Sequence, residues 1–137
     1  MRKVSILVGI CMLVAVAVTL VAQSEADLAP IMKDNAATNK SLQTSIMNGV
    51  AADVVRDAEK LQTNFSKAMG IFKALKSQDA VDRSKANVDA AAEVIKAAKG
   101  NNMEAAKAAA GTIQKSCKGC HEVHREQLPD KSFKFKS

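Results

Sequence analysis

Apolar positions recur three and four residues apart along most of the chain, and the breaks in that recurrence divide it into four helical segments. The clearest runs from about Val50 to Lys76, where Val54, Ala58, Leu61, Phe65, Ala68, Phe72 and Leu75 form one stripe. Phe65 and Phe72, two turns apart on it, suit either a core or the flanks of a flat group. After the polar break Ser77-Gln78-Asp79, Val81, Val88, Ala91, Ile95 and Ala98 mark a helix from about Ala80 to Lys99, which Gly100 ends. The last stripe is Met103, Ala106, Ala110, Ile113, Cys117, Cys120 and His124. It extends from about Asn102 to Leu128, where Pro129 stops it, and Asn101 with Glu104 resembles a capping box at its start. The first segment, from a capping Asp27 to about Asn48, is less regular. Leu28, Met32, Leu42 and Ile46 share a face, but Asn35 and Asn39 interrupt it. That reads either as an imperfect surface helix or as a gap where something other than a side chain packs. No segment alternates with the period of a strand, and the loops are short. The predicted fold is all-α, an antiparallel up-down-up-down four-helix bundle.

Both ends of the chain depart from this pattern. Arg2 and Lys3 precede an apolar run from Val4 to Ala22, followed by small residues at Ala22, Ser24 and Ala26. Residues 1–24 therefore read as a secretory signal, cleaved after Ser24 or Ala26. The run is also nearly long enough to span a bilayer, so a retained N-terminal anchor is the alternative, and the only reason to expect a membrane. Residues 25–128 form the bundle domain. Residues 129–137 form a short basic tail carrying Phe133 and Phe135, expected to be poorly ordered.

Composition adds two points. The apolar content is dominated by Ala, with no Trp or Tyr, which leaves room in the core for a large flat cofactor. The net charge of +6 falls to +4 once Arg2 and Lys3 are removed, and no basic run is interleaved with aromatics, so nucleic acid is not an expected partner. No carboxylate cluster or paired nucleophile and base is visible, which argues against an enzyme.

The chemistry concentrates in Cys117-Lys118-Gly119-Cys120-His121, a C-x-x-C-H sequence, the attachment signature of c-type haem. Two thiols three positions apart lie on nearly one helical face, so each can form a thioether to a vinyl group of one porphyrin, with His121 placed to bind the iron. A redox dithiol would be expected beside a βαβ pattern, which is absent, and a closed zinc site needs four ligands, with only His124 nearby to add. Once residues 1–24 are removed, Cys117 and Cys120 are the only thiols, because Cys11 lies in the apolar run.

Four helices ending in Cys117-Lys118-Gly119-Cys120-His121-Glu122-Val123-His124-Arg125 resemble cytochrome c′, the class II c-type cytochromes, whose haem motif lies near the C-terminus. The resemblance covers Asp27 to Leu128. It implies a periplasmic protein with one covalent haem c per chain, often a homodimer built through its first two helices. It assigns Cys117 and Cys120 to the thioethers, His121 to the proximal iron ligand and Arg125 to the basic residue beside the proximal haem face. His124 departs from the family, which usually has Tyr or Phe there. It reads as an aromatic substitute, since two histidines on one helical turn cannot bind opposite faces of an iron.

Two functions follow from the resemblance. An electron carrier, serving redox partner proteins, would have a strong sixth ligand opposite His121. A binder of nitric oxide or carbon monoxide would have a five-coordinate iron under an apolar distal side. Met32 is the expected sixth ligand. It lies about 8 Å along the axis from Asp27, while His121 lies about 10 Å from Leu128, so the two are nearly level in an antiparallel bundle. Low-spin relatives of cytochrome c′ also take their Met from the first helix. If Met32 is instead a core residue, the gas-binding reading prevails.

Overall fold

The computed structural model describes residues 2–136, with side chains from residue 25 onward, so the signal or anchor expected at residues 1–24 lies outside the described side chains. The chain folds as a four-helix bundle of α1 (Arg2–Met47), α2 (Ala51–Ala74), α3 (Gln78–Lys99) and α4 (Met103–His124). Two short strands follow, β1 (Arg125–Gln127) and β2 (Phe133–Phe135). Among the described residues no helix is long and apolar enough to cross a membrane.

One device makes all three helix-to-helix turns. Gly49, Lys76 and Asn101 take left-handed backbone angles, with φ of 68°, 57° and 55°. The next amide in each turn reaches back to close the helix: Val50 N to Ser45 O at 3.1 Å, Ser77 N to Phe72 O at 3.0 Å and Asn102 N to Ala97 O at 2.9 Å. This is the Schellman closure, which satisfies carbonyls that a helix end leaves bare. At the end of α3 the left-handed position falls on Asn101 rather than Gly100, because Asn tolerates that region well. The cap of α4 therefore passes to Asn102, whose side chain accepts from Ala105 N at 3.0 Å, one residue later than the capping box predicted at Asn101. Asp27 is not an N-cap, since α1 continues through it and through Pro30. A proline inside a helix has no N–H to donate to the preceding turn.

Polar contacts tie α1 to α2. Asp34 accepts from Lys60 Nζ at 2.6 Å and from Asn64 Nδ2 at 2.7 Å. Further along, Ser41 Oγ donates to the buried Asp57 at 2.6 Å, and Arg56 donates to the same carboxylate at 3.0 and 3.1 Å. A carboxylate inside a bundle is tolerable only when its oxygens are satisfied in this way.

The core falls into two apolar clusters. The larger holds Leu42, Ile46, Val54, Leu61, Phe65, Val94, Ala106, Ala110 and Ile113, with Cys117 packed at its edge. The smaller holds Leu28, Ala68, Phe72, Ala80 and Val81, with Met32, Leu75 and Phe135 against it. Full burial of a Leu, Ile or Val contributes about 1.5–3 kcal/mol, which makes Leu42, Leu61 and Ile113 principal anchors. Between the clusters each of the first three helices places buried polar side chains: Asn35 and Thr38 on α1, Asn64 on α2, Ser84 and Asn87 on α3.

The C-terminal tail departs from expectation. α4 ends at His124, before the predicted stop at Leu128, and the chain turns back as an antiparallel hairpin that pairs Arg125 with Phe135 and Gln127 with Phe133. Pro129 and Asp130 form the bend, with Asp130 accepting from Ser132 N at 2.9 Å. The hairpin is ordered because Phe135 supplies an apolar anchor: its ring lies 5.1 Å from Phe72 and 5.2 Å from His124, centroid to centroid. Phe133, Lys134 and Phe135 alternate as a strand does, but three residues are too few for that period to stand out in a sequence.

Candidate cofactor site at the Cys117–His121 motif

The last two turns of α4 carry the motif, and the α4 stripe turns Cys117 toward the core. Both thiols are free and half-buried. Burial pushes the Cys117 thiol up to about 11, with proximity to Cys120 adding to it. Cys120 is raised as well, chiefly by burial, while the Arg83 guanidinium works in the opposite direction. Both shifts are opposite in sign to the depressed values of reactive redox thiols.

His121 lies on the exposed side of the same turns. Partial desolvation and then the nearby Arg125 charge hold its imidazole below the usual value, which favours the neutral ring with a lone pair free for a metal. Arg125 is held in turn by the hairpin, its guanidinium lying 3.6 Å from the Phe133 ring centroid. The structure thus brings Cys117, Cys120, His121 and Arg125 together at one end of α4. Met32 is half-buried in the smaller cluster, beside Leu28, Phe72 and Val81, whereas Cys117 packs against the larger one.

Sequence reasoning missed the neighbours that α3 supplies. Arg83 Nε donates to Asp79 Oδ2 at 2.6 Å, and the Arg83 carbonyl accepts from Ser116 Oγ at 3.5 Å. A Cβ on Gly119 would lie 3.0 Å from Arg83 Nη1, so the glycine between the two cysteines lets this guanidinium approach the helix. Asp79 is held below the usual carboxylate range by Arg83 first and by His124 second. His124 is buried, with Nε2 2.7 Å from Asp79 Oδ2 and Nδ1 2.9 Å from the Lys136 carbonyl oxygen. It packs as an aromatic, as expected, and also fastens α4 to α3 and to the hairpin. The only hint in the sequence was the i, i+4 spacing of Asp79 and Arg83.

The donor set suits a covalently held haem, with two free thiols at the required spacing and an imidazole directly after them, and some buried amide atoms on α1 and α3 have no protein partner. Asn35 Oδ1 and Nδ2, Asn39 Oδ1, Gln43 Nε2 and Asn87 Oδ1 are buried without hydrogen-bond partners. Among the described residues no three His, Cys, Asp or Glu side chains gather into a group that could hold a metal ion. The chain matches no known protein family, no curated protein and no solved structure.

Proposed function

We propose that this chain is an exported c-type cytochrome of the cytochrome c′ kind, carrying electrons between redox partner proteins in the periplasm. Cys117 and Cys120 would hold the haem by thioethers, with His121 as its proximal ligand and Met32 as its sixth. The carrying observation is the C-x-x-C-H motif with both thiols free and half-buried at the edge of the core. Haem supplies one-electron exchange between ferric and ferrous iron. The protein's own part is to fix His121 on the helix that bears the thiols, to keep Arg125 beside it and to limit water at the buried side. In this reading the helices run up-down-up-down. The contacts of Asp34 with Asn64 and of Ser41 with Asp57 support that for α1 and α2, since later residues of one helix meet earlier residues of the other. A homodimer through α1 and α2 belongs to the same reading, and Met47 and Val50 are exposed apolar residues at the turn joining them. Cleavage before Glu25 or Asp27 would leave Pro30 in a first helical turn, where its missing N–H matters least.

One observation favours a second reading. Met32 sits among Leu28, Phe72 and Val81 as an ordinary core residue would. A Met32 that stays there leaves the iron five-coordinate and open to nitric oxide or carbon monoxide.

Acid-acetone extraction tests the shared premise: haem stays with the polypeptide if the thioethers exist, and free extraction or zinc in its place defeats both readings. Optical and paramagnetic resonance spectra then separate them. Electron transfer predicts a low-spin iron with a Met–iron charge-transfer band that Met32→Ala abolishes. A high-spin spectrum indifferent to that substitution selects gas binding. N-terminal sequencing of protein from its native host decides between a cleaved signal and a retained anchor.

A further inference from the structure

The buried polar residues between the two apolar clusters form a layer across the bundle, and its placement can be traced by contacts. Asp34, next to Asn35, meets Asn64. Gln62, two residues before Asn64, donates to the carbonyl of Val88, next to Asn87, at 3.5 Å. Ser116, next to Cys117, reaches the carbonyl of Arg83, next to Ser84. Asn35, Asn64 and Asn87 therefore lie within about a turn of one another along the bundle, on three different helices, and Cys117 on the fourth lies about a turn and a half further along.

Asn64 is satisfied by Asp34, but Asn35 is left without a partner. It is 6% exposed, and neither its amide oxygen nor its amide nitrogen has a partner. Asn87 is 3% exposed with a bare Oδ1, and along α1 at intervals of four residues Asn39 and Gln43 add one bare atom each. A buried amide left without partners is destabilising by about 1–3 kcal/mol per group, so natural cores rarely keep one. Asn35 retains both a donor and an acceptor in that state, on the α1 face that bears Met32 one turn earlier.

The geometry points to Asn35, with Asn87 across the layer, as a hydrogen-bonding site for a small polar molecule bound at the iron on the side away from His121. The ligand class is water or a diatomic such as carbon monoxide or nitric oxide. This inference rests on the haem reading above and departs from the apolar distal side expected for a gas binder. Asn35 Nδ2 would donate to the bound molecule, and the Asn87 carbonyl would accept from a water there. No bond is made or broken by either amide.

The test uses the haem-loaded protein in a Met32→Ala background, so that the sixth position is open under either reading, with carbon monoxide as the probe. A donor near the outer atom of bound carbon monoxide draws electron density from iron into the ligand and weakens the C–O bond. Asn35→Leu should therefore move the C–O stretch to higher wavenumber and speed carbon monoxide release about fivefold, the factor one hydrogen bond of typical net strength contributes. The parent band should also shift in D2O, a measurement that needs no Asn35 variant to fold, and Asn35→Ser should give an intermediate band. A stretch unchanged by Asn35→Leu and by D2O overturns the inference while leaving the haem reading intact. So does a structure of the loaded protein in which the Asn35 amide bonds a propionate or Asn87 instead. Absence of covalent haem removes the haem reading and this inference together.

Discussion

Replacing Phe135 by Ala should release the C-terminal hairpin while leaving the bundle folded. Phe135 stacks on His124 at 5.2 Å with 14° between the ring planes, and tilts against Phe72 at 5.1 Å and 36°. Aromatic pairs of this kind contribute about 0.5–1.5 kcal/mol each, so the two together hold the hairpin down by about 2 kcal/mol. A two-stranded hairpin has little stability of its own, and docking is what keeps it closed. Losing about 2 kcal/mol raises the opening constant by about 30-fold. Native-state hydrogen exchange reads this directly at the Lys136 amide, which donates to the His124 carbonyl at 2.7 Å, and at the Leu128 amide, which donates to Ser132 O at 2.9 Å. Phe133→Ala is the control. Phe133 is 49% exposed and its ring lies against the Arg125 guanidinium, a contact contributing about 0.5–1 kcal/mol, so exchange should quicken by only about two- to fivefold. Equal acceleration in the two variants, or a wild-type Lys136 amide exchanging as fast as in an unfolded chain, would refute the argument.

Other expectations follow from the same contacts. In chain made without haem, Cys117 titrates at about 11 when folded against 9.0 when unfolded. A raised acid contributes stability that is intact below pH 9 and lost as the pH climbs toward 11, so urea midpoints should hold steady to about pH 9 and then fall. At pH 8 the folded thiolate population is about 100-fold lower than in the unfolded chain, and the greater nucleophilicity of a more basic thiolate offsets about tenfold of that. Iodoacetamide should thus label folded Cys117 about tenfold more slowly, and equal rates would show that the thiol is not buried. Arg125→Ala in the haem-loaded protein should leave the haem attached and lower the reduction potential, because a cation beside His121 disfavours the ferric charge; an unchanged potential in a redox titration removes Arg125 from the site. Asn102→Ala deletes the α4 cap at Ala105 N and should cost about 1 kcal/mol in chemical denaturation, whereas Asn101→Ala acts only through its left-handed backbone.

The sequence by itself determined the helices and the reactive motif, because both are local. A 3.6-residue stripe needs only its own segment to declare itself, which is why Val54 through Phe72 and Val81 through Ala98 could be placed on inner faces from their spacing. The thiols at Cys117 and Cys120 carry their signature within five residues. Tertiary structure decided what depends on neighbours far along the chain. His124 became a fastener only because folding brought Asp79, 45 positions away, and the Lys136 carbonyl to its ring. The tail became a hairpin because Phe72 and His124 offered Phe135 a surface, and no run of three residues announces that. Asn35 read in sequence as a defect in an apolar stripe. Only the packed bundle shows it buried with both amide atoms bare, since the cost of an unpartnered amide depends on what closes around it.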